Sequence, residues 1–419
     1  EFIIPLRRLL GDTPRSSIES VRRIIFEDLG KNPEEIWKSF EPEPIASASL
    51  AQVHVAYGFD GKKYAIKVQH EGLRETSAAD MKAVTLVIDI VAKLFKDFSY
   101  KWLAREMNIN LPLELNFNQE AANIEKCRQI LQPLIKTGEL AIPEVYQSTQ
   151  RILVMSFEEG CYLTDTEKIE EMKVDKGQVA RLISKTFCEQ IYRHGFVHCD
   201  PHTANVLIRA RPKDNSFSLS SWWNYLFSTS NSSKSQAQIV LLDHGLYRQL
   251  DDKFRRDYCR LWRALVTGNK EDIEKYCREM NAGDLYPLLS AMLTLKPWDD
   301  IISGDDVNRL QNKGTKTESE RMRFYAQRYL SQINGLLENA PSSLLLLLKT
   351  NDCLRQLDKS VGRPVNTLTV VLETASEVIF EEEYHDAYTI DEKYQVWMKY
   401  LPLKGKAYLL DLISWWIQK

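Results

Sequence analysis

Residues 198–205 read His-Cys-Asp-Pro-His-Thr-Ala-Asn, and this stretch decides the fold class. Apolar residues in the preceding stretch, 179–191, recur at helical spacing, and Gly195 is a suitable stop for that helix. A short apolar run follows and predicts a strand. Asp200 and Asn205 therefore lie on a loop between a helix and a strand. There, both side chains can bind one metal ion while the Asp200 carboxylate faces an acceptor hydroxyl.

The spacing of Asp200 and Asn205 is that of the protein-kinase catalytic loop. Phosphoryl transfer needs mainly positioning and charge neutralisation, and these two side chains supply both. His198 and His202 are four residues apart and raise zinc binding as an alternative. However, Pro201 disfavours a continuous helix there, and no third zinc ligand is apparent. The motif therefore favours phosphoryl transfer.

A single lysine interrupts the apolar strand pattern at 65–68, Ala-Ile-Lys-Val. Alternation over 52–57, a turn at 58–61 and the strand 63–68 together predict a β-hairpin. Burial of an unpaired ammonium is costly, so phosphates or a carboxylate would have to partner Lys67. The alternative is a lysine on an edge strand that faces water, which is where most lysines lie.

The stretch 241–245, Leu-Leu-Asp-His-Gly, is an apolar strand that ends in Asp-x-Gly. A carboxylate at a strand end, followed by glycine, can bind magnesium where the backbone turns. An ordinary turn would explain an isolated Asp-x-Gly equally well. Because it follows the Asp200 motif, we interpret Asp243 as a metal ligand.

Asp200 and Asp243 are 43 residues apart, which is more than ordinary kinases show. A serine-rich segment, 211–236, accounts for the excess. We expect 206–209 and 239–242 to pair as a hairpin with this segment at its tip, since lengthening a loop costs little free energy.

The stretch 45–54, Ile-Ala-Ser-Ala-Ser-Leu-Ala-Gln-Val-His, lies where a glycine-rich phosphate loop would be, and it contains no glycine. Alanine and serine adopt positive φ only at a cost, so this loop cannot cover phosphates as a GxGxxG loop does. The stretch predicts altered nucleotide handling. The alternative is a turn of small residues without any ligand role.

Bulk composition bounds the function. The chain has 419 residues, enough for one large bilobal unit or two ordinary domains. A net charge of −3 gives no reason to expect nucleic acid or a polybasic membrane anchor. Seven scattered cysteines without a CxxC pair indicate free thiols in a reducing compartment. No apolar run is long enough to span a bilayer, and a first residue other than Met leaves room for an upstream targeting segment.

The other patterns are mostly helical. Helices are predicted over 14–40 with Ser16 or Ser17 as N-cap, over 76–98, over 102–133 with an interruption near Pro112, and over most of 250–419. Short strands are predicted over 143–147 and 151–157. The five leucines of 344–348 predict core packing.

Together, these motifs resemble the UbiB (AarF-domain) family of atypical kinases. The stretches 197–202, 241–247, 282–288 and 348–352 resemble most the subfamily of animal AarF-domain-containing kinase 1 and its fungal mitochondrial relative. The likeness covers residues 14 to 360. It implies an α+β, atypical bilobal protein-kinase-like fold with a large helical C-terminal lobe.

The resemblance also implies domain boundaries and residue roles. An N-terminal helical extension would span 1–44, the N-lobe 45–160, the C-lobe 161–360 with its insertion at 211–236, and a C-terminal helical extension 361–419. ATP and Mg²⁺ would be the cofactors. The implied roles are: Ala46, Ser47, Ala48 and Ser49 at the phosphates; Lys67 on the α/β-phosphates with Glu114 as its partner; Glu120 near the nucleotide; Met155 and Phe157 in the hinge at adenine; Asp200 in the catalytic position; Asn205 and Asp243 on magnesium. Without the resemblance, a solvated helix face would explain Glu114 and Glu120 as well.

The sequence departs from the family pattern at three points. The family's Lys-x-Gly-Gln motif is absent. The family's Glu-x-Asp reads Glu114-Leu115-Asn116, which loses one charge. Ala204 replaces the usual glycine before Asn205, a mild change.

Three functions fit these motifs. The first is an active ATPase or phosphotransferase, and the second is a pseudokinase that binds nucleotide and acts as a switch or lipid-handling module. The third is a small-molecule kinase of the aminoglycoside-phosphotransferase type, which shares the His-x-Asp-x-x-x-x-Asn pattern. The Ala-Ser loop and 282–288 favour the UbiB family. Product analysis would separate the three.

Location and partners follow from the resemblance. The family acts around coenzyme Q and lipid metabolism, with many members at the mitochondrial inner membrane. A lipid or isoprenoid small molecule and peripheral membrane contact are therefore expected. The apolar stretch 408–417 with Trp415 and Trp416, and the pair Trp222 and Trp223, are candidate membrane contacts. A core-packed terminal helix and a loop tip are the alternatives.

Overall fold

The computed structural model describes residues 15–94, 101–211, 235–303, 320–321, 324, 327–362 and 367–417. Contacts divide the chain into two compact units. The first unit comprises Glu1–Gln129, Ile142–Glu158 and Asp243–Tyr247, and the second comprises Ile130–Ala141, Glu159–Leu242 and Arg248–Lys419. The domain boundaries implied by the resemblance stay predictions.

Helices and short strands share the chain. The strands are β1 (Ser39–Phe40), β2 (Ala46–Ser47), β3 (Ala51–Tyr57), β4 (Lys63–Gln69), β5 (Leu140–Ala141), β6 (Val145–Ser148), β7 (Ile152–Ser156), β8 (Cys161–Tyr162), β9 (Phe196–His198), β10 (Val206–Ala210), β11 (Ala237–Leu241) and β12 (Tyr247–Gln249). The helices are α1 (Ile18–Leu29), α2 (Pro33–Ile36), α3 (Leu73–Leu94), α4 (Lys101–Glu114), α5 (Phe117–Ile130), α6 (Gln132–Lys136), α7 (Thr166–Glu171), α8 (Lys176–Cys188), α9 (Asp252–Thr267), α10 (Lys270–Glu279), α11 (Tyr286–Thr294), α12 (Trp298–Ser303), α13 (Leu330–Asn339), α14 (Ser342–Ser360), α15 (Thr367–Asp386) and α16 (Ile390–Ile417). Single turns of other helix types occupy Glu189–Arg193, Thr203–Asn205 and Gly283–Leu285.

An antiparallel sheet forms the centre of the first unit. Its strands lie in the order β1-β3-β4-β7-β6, and β2 pairs with the N-terminal part of β3. Helix α1 covers one face of the sheet with Val21, Ile24 and Ile25. Ile24 and Ile25 follow Val21 by three and four residues, so the three side chains share one helix face. The core around them also contains Trp37, Ala56, Ile66, Val68, Ile152 and Val154.

The second unit combines a small sheet with most of the helices. The sheet has the order β5-β11-β10-β8, in which β10 and β11 are antiparallel and β5 runs parallel to β11. Helix α8 buries Val179, Leu182, Ile183 and Phe187, which confirms the predicted helical face. Gly195 follows with a φ of +60°, the left-handed conformation that glycine adopts readily at such a stop.

Both predicted hairpins are confirmed. Strands β3 and β4 pair antiparallel across the turn at 58–61. Strands β10 and β11 pair with Val206 opposite Leu241 and Ala210 opposite Ala237, so the segment between them starts at the tip of this hairpin. Residues 212–234 of that segment, including Trp222 and Trp223, lie outside the described residues.

One helix prediction differs from the structure. The helix predicted over 14–40 ends at Leu29, because Gly30 takes a φ of +72°; the short helix α2 and then β1 follow. Ser17 is the N-cap of this helix and accepts a hydrogen bond from the amide of Ser20. The interruption predicted near Pro112 is confirmed: Pro112 lies within the last turn of α4, and the break follows directly after Glu114.

The helical C-terminal region is confirmed as well. The leucine run lies in α14, where Leu344, Leu346 and Leu347 are buried. Trp415 and Trp416 lie in α16, but their side chains lie outside the described residues. In the part of the chain that the structure describes, no helix is both long and apolar enough to cross a membrane.

Candidate functional site

Lys67 lies at the middle of β4, opposite Val53 of β3 and Leu153 of β7. Its side chain is largely buried, with 16% exposed. The Nζ atom donates to both carboxylate oxygens of Glu120, at 2.8 and 2.9 Å, and lies 3.5 Å from Oδ1 of Asp243. Carboxylates therefore pair with this buried ammonium. A carboxylate is one of the two kinds of partner that the sequence predicts for Lys67, the other being phosphates.

The partner of Lys67 is Glu120 and not Glu114, which corrects the pairing that the resemblance implied. Glu114 is the last residue of α4, whereas Glu120 lies in the first turn of α5. The break between the two helices places the later carboxylate at Lys67, and only 3% of the Glu120 side chain is exposed.

Asn116 marks the start of α5. Its Oδ1 accepts a hydrogen bond from the amide of Asn118 at 3.2 Å. Asparagine and aspartate both serve well in this position, because either side chain offers an oxygen to an unpaired amide of the first turn. The change from the family's Asp to Asn116 therefore keeps the start of the helix that carries Glu120.

One face of α5 holds the segment that carries Asp243. Glu120, Asn123 and Cys127 are spaced three and four residues apart, so they share this face. Asn123 Nδ2 donates to the His244 carbonyl at 2.9 Å, and the Tyr247 hydroxyl donates to Cys127 Sγ at 3.5 Å. The rings of His244 and Tyr247 stack with centroids 5.6 Å apart. Successive turns of α5 thus position Asp243.

The cluster of Lys67, Glu120 and Asp243 has more negative than positive charge. Burial lowers the pKa of Lys67, but the charges of Asp243 and Glu120 outweigh burial and hold this pKa above its ordinary value. Burial raises the pKa of Glu120; Lys67 opposes this effect and Asp243 adds to it. Both shifts reflect two carboxylates around one ammonium. A further cation at Asp243, whose side chain is 41% exposed, would balance the cluster.

The side chain of Asp243 fits a Mg²⁺ site in which the phosphates of a bound ligand supply the remaining oxygen ligands. Magnesium binds one or two carboxylates together with substrate phosphates and water, and rarely an all-protein cage. Within the described ranges, no group of three or more His, Cys, Asp or Glu side chains could hold a metal ion. The Gly245 amide donates to Asp243 Oδ1 at 2.9 Å and orients the carboxylate.

The alanine-rich stretch folds as a tight hairpin. Ala46 and Ser47 pair with Val53 and Gln52, and the Ala48 amide donates to the Ala51 carbonyl at 2.8 Å. None of the residues 46–51 takes a positive φ. The turn at Ser49 is therefore built without glycine, as the sequence requires.

His70 supports the tip of this hairpin. Its backbone amide donates to the Leu50 carbonyl at 3.0 Å. Its Nε2 lies 2.9 Å from the Ala48 carbonyl, which can only accept, so Nε2 carries the proton. His70 Nδ1 then accepts from the Ser16 hydroxyl at 2.8 Å. The hairpin is thereby tied to the residue just before the cap of α1.

The implied hinge lies at the end of β7. Met155 is buried and lies opposite Ala65 of β4. The Phe157 amide donates to the Lys63 carbonyl at 3.2 Å, and Lys63 Nζ lies 3.6 Å from the centroid of the Phe157 ring. The backbone of this stretch is thus an extension of the sheet that carries Lys67.

The second unit contains the loop with Asp200 and Asn205. Asn205 ends a short 3₁₀ turn, and its Nδ2 donates to the Asp200 carbonyl at 3.5 Å. His202 Nδ1 accepts from the Ala204 amide at 3.2 Å, so this imidazole caps the turn. The Asp200 carboxylate forms an ion pair with Lys349 at 2.9 Å.

Several of these residues escaped the sequence analysis. Asn123, Cys127 and Tyr247 look like ordinary helix and strand residues, and only their contacts reveal that they support Asp243. Lys349 lies in the stretch 348–352, which was noted only as part of the resemblance. Its pairing with Asp200 depends on the packing of α14, which no local pattern specifies.

The ABC1 atypical kinase-like domain model matches residues 8–277 of the chain. The chain belongs to the ABC1 atypical kinase-like family. This finding confirms the resemblance to AarF-domain proteins and the α+β kinase-like fold with a large helical C-terminal part. The ABC1 match contains Lys67, Glu120, Asp200, Asn205 and Asp243 and ends before α14.

Relatives of the ABC1 family share much of the chain. A putative ABC1 protein of Arabidopsis thaliana is 36% identical over 429 residues, which cover 100% of this chain and 77% of the relative. AarF domain-containing protein kinase 1 of Gallus gallus is 39% identical over 364 residues, covering 86% and 65%. AarF domain-containing kinase 1 of Drosophila melanogaster is 36% identical over 372 residues, covering 88% and 66%. The chain thus spans slightly less than two thirds of these animal relatives.

A solved structure shares the fold. The chain resembles Rv3197 of Mycobacterium tuberculosis, solved in complex with erythromycin, with a TM-score of 0.52 and 17% sequence identity. The match covers 84% of this chain and 83% of Rv3197.

Proposed function

We propose that this protein binds ATP with Mg²⁺ and catalyses phosphoryl transfer or ATP hydrolysis. The observation that carries the proposal is the cluster of Lys67, Glu120 and Asp243. It places a largely buried ammonium and a more exposed carboxylate 3.5 Å apart and has one excess negative charge. Phosphates and a divalent cation supply the charges that such a cluster lacks.

Each residue has a distinct part in the proposed chemistry. Glu120 holds Lys67 in place, and the ammonium of Lys67 binds phosphate oxygens. Asp243 would hold Mg²⁺, which when bound supplies positive charge that neutralises the phosphates. For Asp200 and Asn205 the support is their spacing in the motif: Asp200 accepts the proton of the attacking hydroxyl or water, and Asn205 is a further metal ligand.

Thermal unfolding with ATP, in the presence and absence of Mg²⁺, tests nucleotide binding. A ligand that binds only the folded state adds about 2.7 kcal/mol at a hundredfold excess over its dissociation constant. We expect a magnesium-dependent rise in Tm that Asp243→Asn removes. Glu125→Gln is a matched control, because it removes one exposed carboxylate from α5. Absence of any shift in the wild type would refute nucleotide binding.

Product analysis then separates catalysis from its alternatives. Release of phosphate from ATP supports an ATPase, and a phosphorylated small acceptor supports a small-molecule kinase. A second candidate function is a pseudokinase that binds nucleotide without turnover and acts as a switch or lipid-handling module. The glycine-free hairpin of residues 46–51 favours it, because that hairpin has none of the positive-φ residues of a glycine-rich phosphate loop. Binding without any product would decide for the pseudokinase.

We further propose peripheral contact with a membrane, through the described part of α16. Tyr394, Trp397, Met398 and Leu401 are spaced as one helix face, and between 46% and 57% of each is exposed. The stretch 393–405 also contains three lysines and no acidic residue. Helices with an aromatic and aliphatic face flanked by lysines lie in the interface of anionic bilayers.

Vesicle flotation tests the membrane proposal. We expect the protein to float with vesicles of phosphatidylcholine and phosphatidylglycerol and Trp397→Ala to float less. Protein that stays in the dense fraction with all vesicles would refute it. A role in lipid or coenzyme Q homeostasis at the mitochondrial inner membrane is a proposal that rests on the resemblance. Cell fractionation with an antibody to the native protein tests that location.

A further inference from the structure

The helix α14 presents a lysine to the catalytic-position aspartate. Lys349 Nζ donates to Asp200 Oδ1 at 2.9 Å, and both residues belong to the second unit. The two side chains are 50% and 49% exposed, so the pair is accessible to a ligand. An exposed ion pair of this kind contributes little to stability. We therefore look for a role of the Lys349–Asp200 pair in the reaction and not in stability.

The two residues after Lys349 hold the helix in place. Thr350 Oγ1 donates to the His198 carbonyl at 3.5 Å and to the Leu346 carbonyl at 2.9 Å, and it is fully buried. Asn351 Nδ2 donates to the Tyr258 hydroxyl at 2.8 Å. Buried polar groups of this kind are costly unless they are bonded. These contacts set the rotation of α14 and with it the direction of Lys349.

The Asp200 loop has no permanent cation of its own. Residues 198–205 contain neither lysine nor arginine. His202 uses its Nδ1 to cap the 3₁₀ turn. A transferred phosphoryl group spreads negative charge over three oxygens, and a cation placed there in advance stabilises the transition state. The ammonium of Lys349 is a permanent positive charge beside Asp200.

We propose that Lys349 is a further catalytic residue, which binds the oxygens of the phosphoryl group transferred at Asp200. The inference rests on the proposed ATP-dependent function. The bond between the γ-phosphorus and the oxygen of the leaving ADP breaks, and a bond to the oxygen of water or of an acceptor hydroxyl forms. The proton of that oxygen passes to the Asp200 carboxylate. Lys349 stays protonated and turns from the carboxylate to the phosphoryl oxygens.

The test measures magnesium-dependent phosphate release by the 419-residue chain and three variants. Lys349→Ala should lower kcat by about 10²–10³-fold, the usual effect of removing one preorganised donor. Its KM and its stabilisation by Mg-ATP should stay close to wild type. Lys349→Arg keeps the charge and should be about tenfold faster than Lys349→Ala. Lys359→Ala, which removes an exposed lysine from the same helix, should have no effect.

A second background separates catalysis from the positioning of Asp200. If Lys349 acts on the phosphoryl group, Lys349→Ala should slow the residual turnover of Asp200→Asn further. No further loss in that background would mean that Lys349 only orients Asp200, and the proposal would be overturned. A fully active Lys349→Ala would overturn it while leaving the proposed function intact. A wild type that binds Mg-ATP but releases no phosphate and forms no phosphorylated product would overturn both.

Discussion

The substitution Glu120→Gln tests the pair that the structure assigns to Lys67. It removes a charge while keeping the size of a side chain that is only 3% exposed. Loss of one partner of a buried ion pair costs about 3–5 kcal/mol when the other charge is left alone. Here Lys67 keeps Asp243 at 3.5 Å and is itself 16% exposed. We therefore expect a loss of about 2–3 kcal/mol in the free energy of unfolding.

Thermal and urea unfolding measure this loss. For a chain of 419 residues the conversion is about 1 °C per kcal/mol, so the Tm should fall by roughly 2–4 °C. Glu125→Gln on the exposed face of α5 is the control and should change Tm by less than about 1 °C. A double-mutant cycle with Lys67→Met isolates the pair, and we expect a coupling free energy of about 1.5–3 kcal/mol.

Two results would refute the reasoning. A coupling free energy within about 0.5 kcal/mol of zero would mean that Glu120 and Lys67 do not interact in solution. A large coupling of Lys67 with Glu114, measured in the same way, would restore the pairing that the resemblance implied.

Four further predictions concern the supports of the site and the backbone. Tyr247→Phe removes a hydroxyl that bridges a thiol and an imidazole, and it should lower the free energy of unfolding by about 1–2 kcal/mol in urea titrations; an unchanged midpoint would contradict the bridge. Asn116→Ala should cost about 1 kcal/mol in thermal unfolding, whereas Asn116→Asp should cost nothing, and equal losses would rule out the capping role. Burial lowers the pKa of His54 below its ordinary 6.5, so the unfolded chain protonates this imidazole more readily than the folded chain does. The stability that the neutral imidazole contributes is therefore complete above pH 6.5 and is lost as the pH falls below it. The difference in the free energy of unfolding between urea titrations at pH 7.5 and pH 5 should be smaller in His54→Gln than in the wild type. Gly195→Ala places a Cβ at a φ of +60° and 3.1 Å from an arginine side chain, and should lower the free energy of unfolding by about 1–2 kcal/mol. Gly335→Ala, inside α13, should raise it by about 0.5–1 kcal/mol. A higher Tm for Gly195→Ala than for Gly335→Ala would contradict the backbone argument.

The parts of the fold that the sequence predicts well have local causes. The hairpin of β3 and β4 follows from alternation around an Asp-Gly turn, and the helix α8 follows from apolar spacing and a glycine stop. The pairing of β10 with β11 could be predicted because two apolar runs flank a polar segment. In the first two cases neighbours in sequence decide the structure, whereas β10 and β11 pair across the segment 211–236.

The helix predicted over 14–40 failed in its last residues, where a distant strand decides the structure. The stretch 38–41 has helix-compatible residues, but the Lys38 amide donates to the Tyr57 carbonyl at 2.8 Å. The stretch therefore pairs with β3 as a strand instead of continuing a helix. A local window of the chain does not specify this pairing.

The motifs single out two residues of the Lys67 cluster but do not predict all of its pairings. The motifs identified Lys67 and Asp243, and the structure brings these side chains to within 3.5 Å. Glu114 and Glu120 are both carboxylates on helical segments six residues apart, and a choice between them requires the packing of α5. That packing depends on Asn123 and Cys127, whose contacts lie more than a hundred residues away in the chain.

The hairpin of β10 and β11 makes the segment between them exchangeable. Ala210 lies opposite Ala237, and the Arg211 amide donates to the Gln236 carbonyl at 2.8 Å, so the two ends of the segment are bonded neighbours. Whatever joins them must bridge only one strand spacing, about 4.8 Å. A two-residue turn could replace the segment, and an epitope or a fluorescent protein could be grafted there, since loop length adds little to the cost of closure. This position is therefore a suitable insertion site for a label, and its use leaves both ends of the chain unchanged.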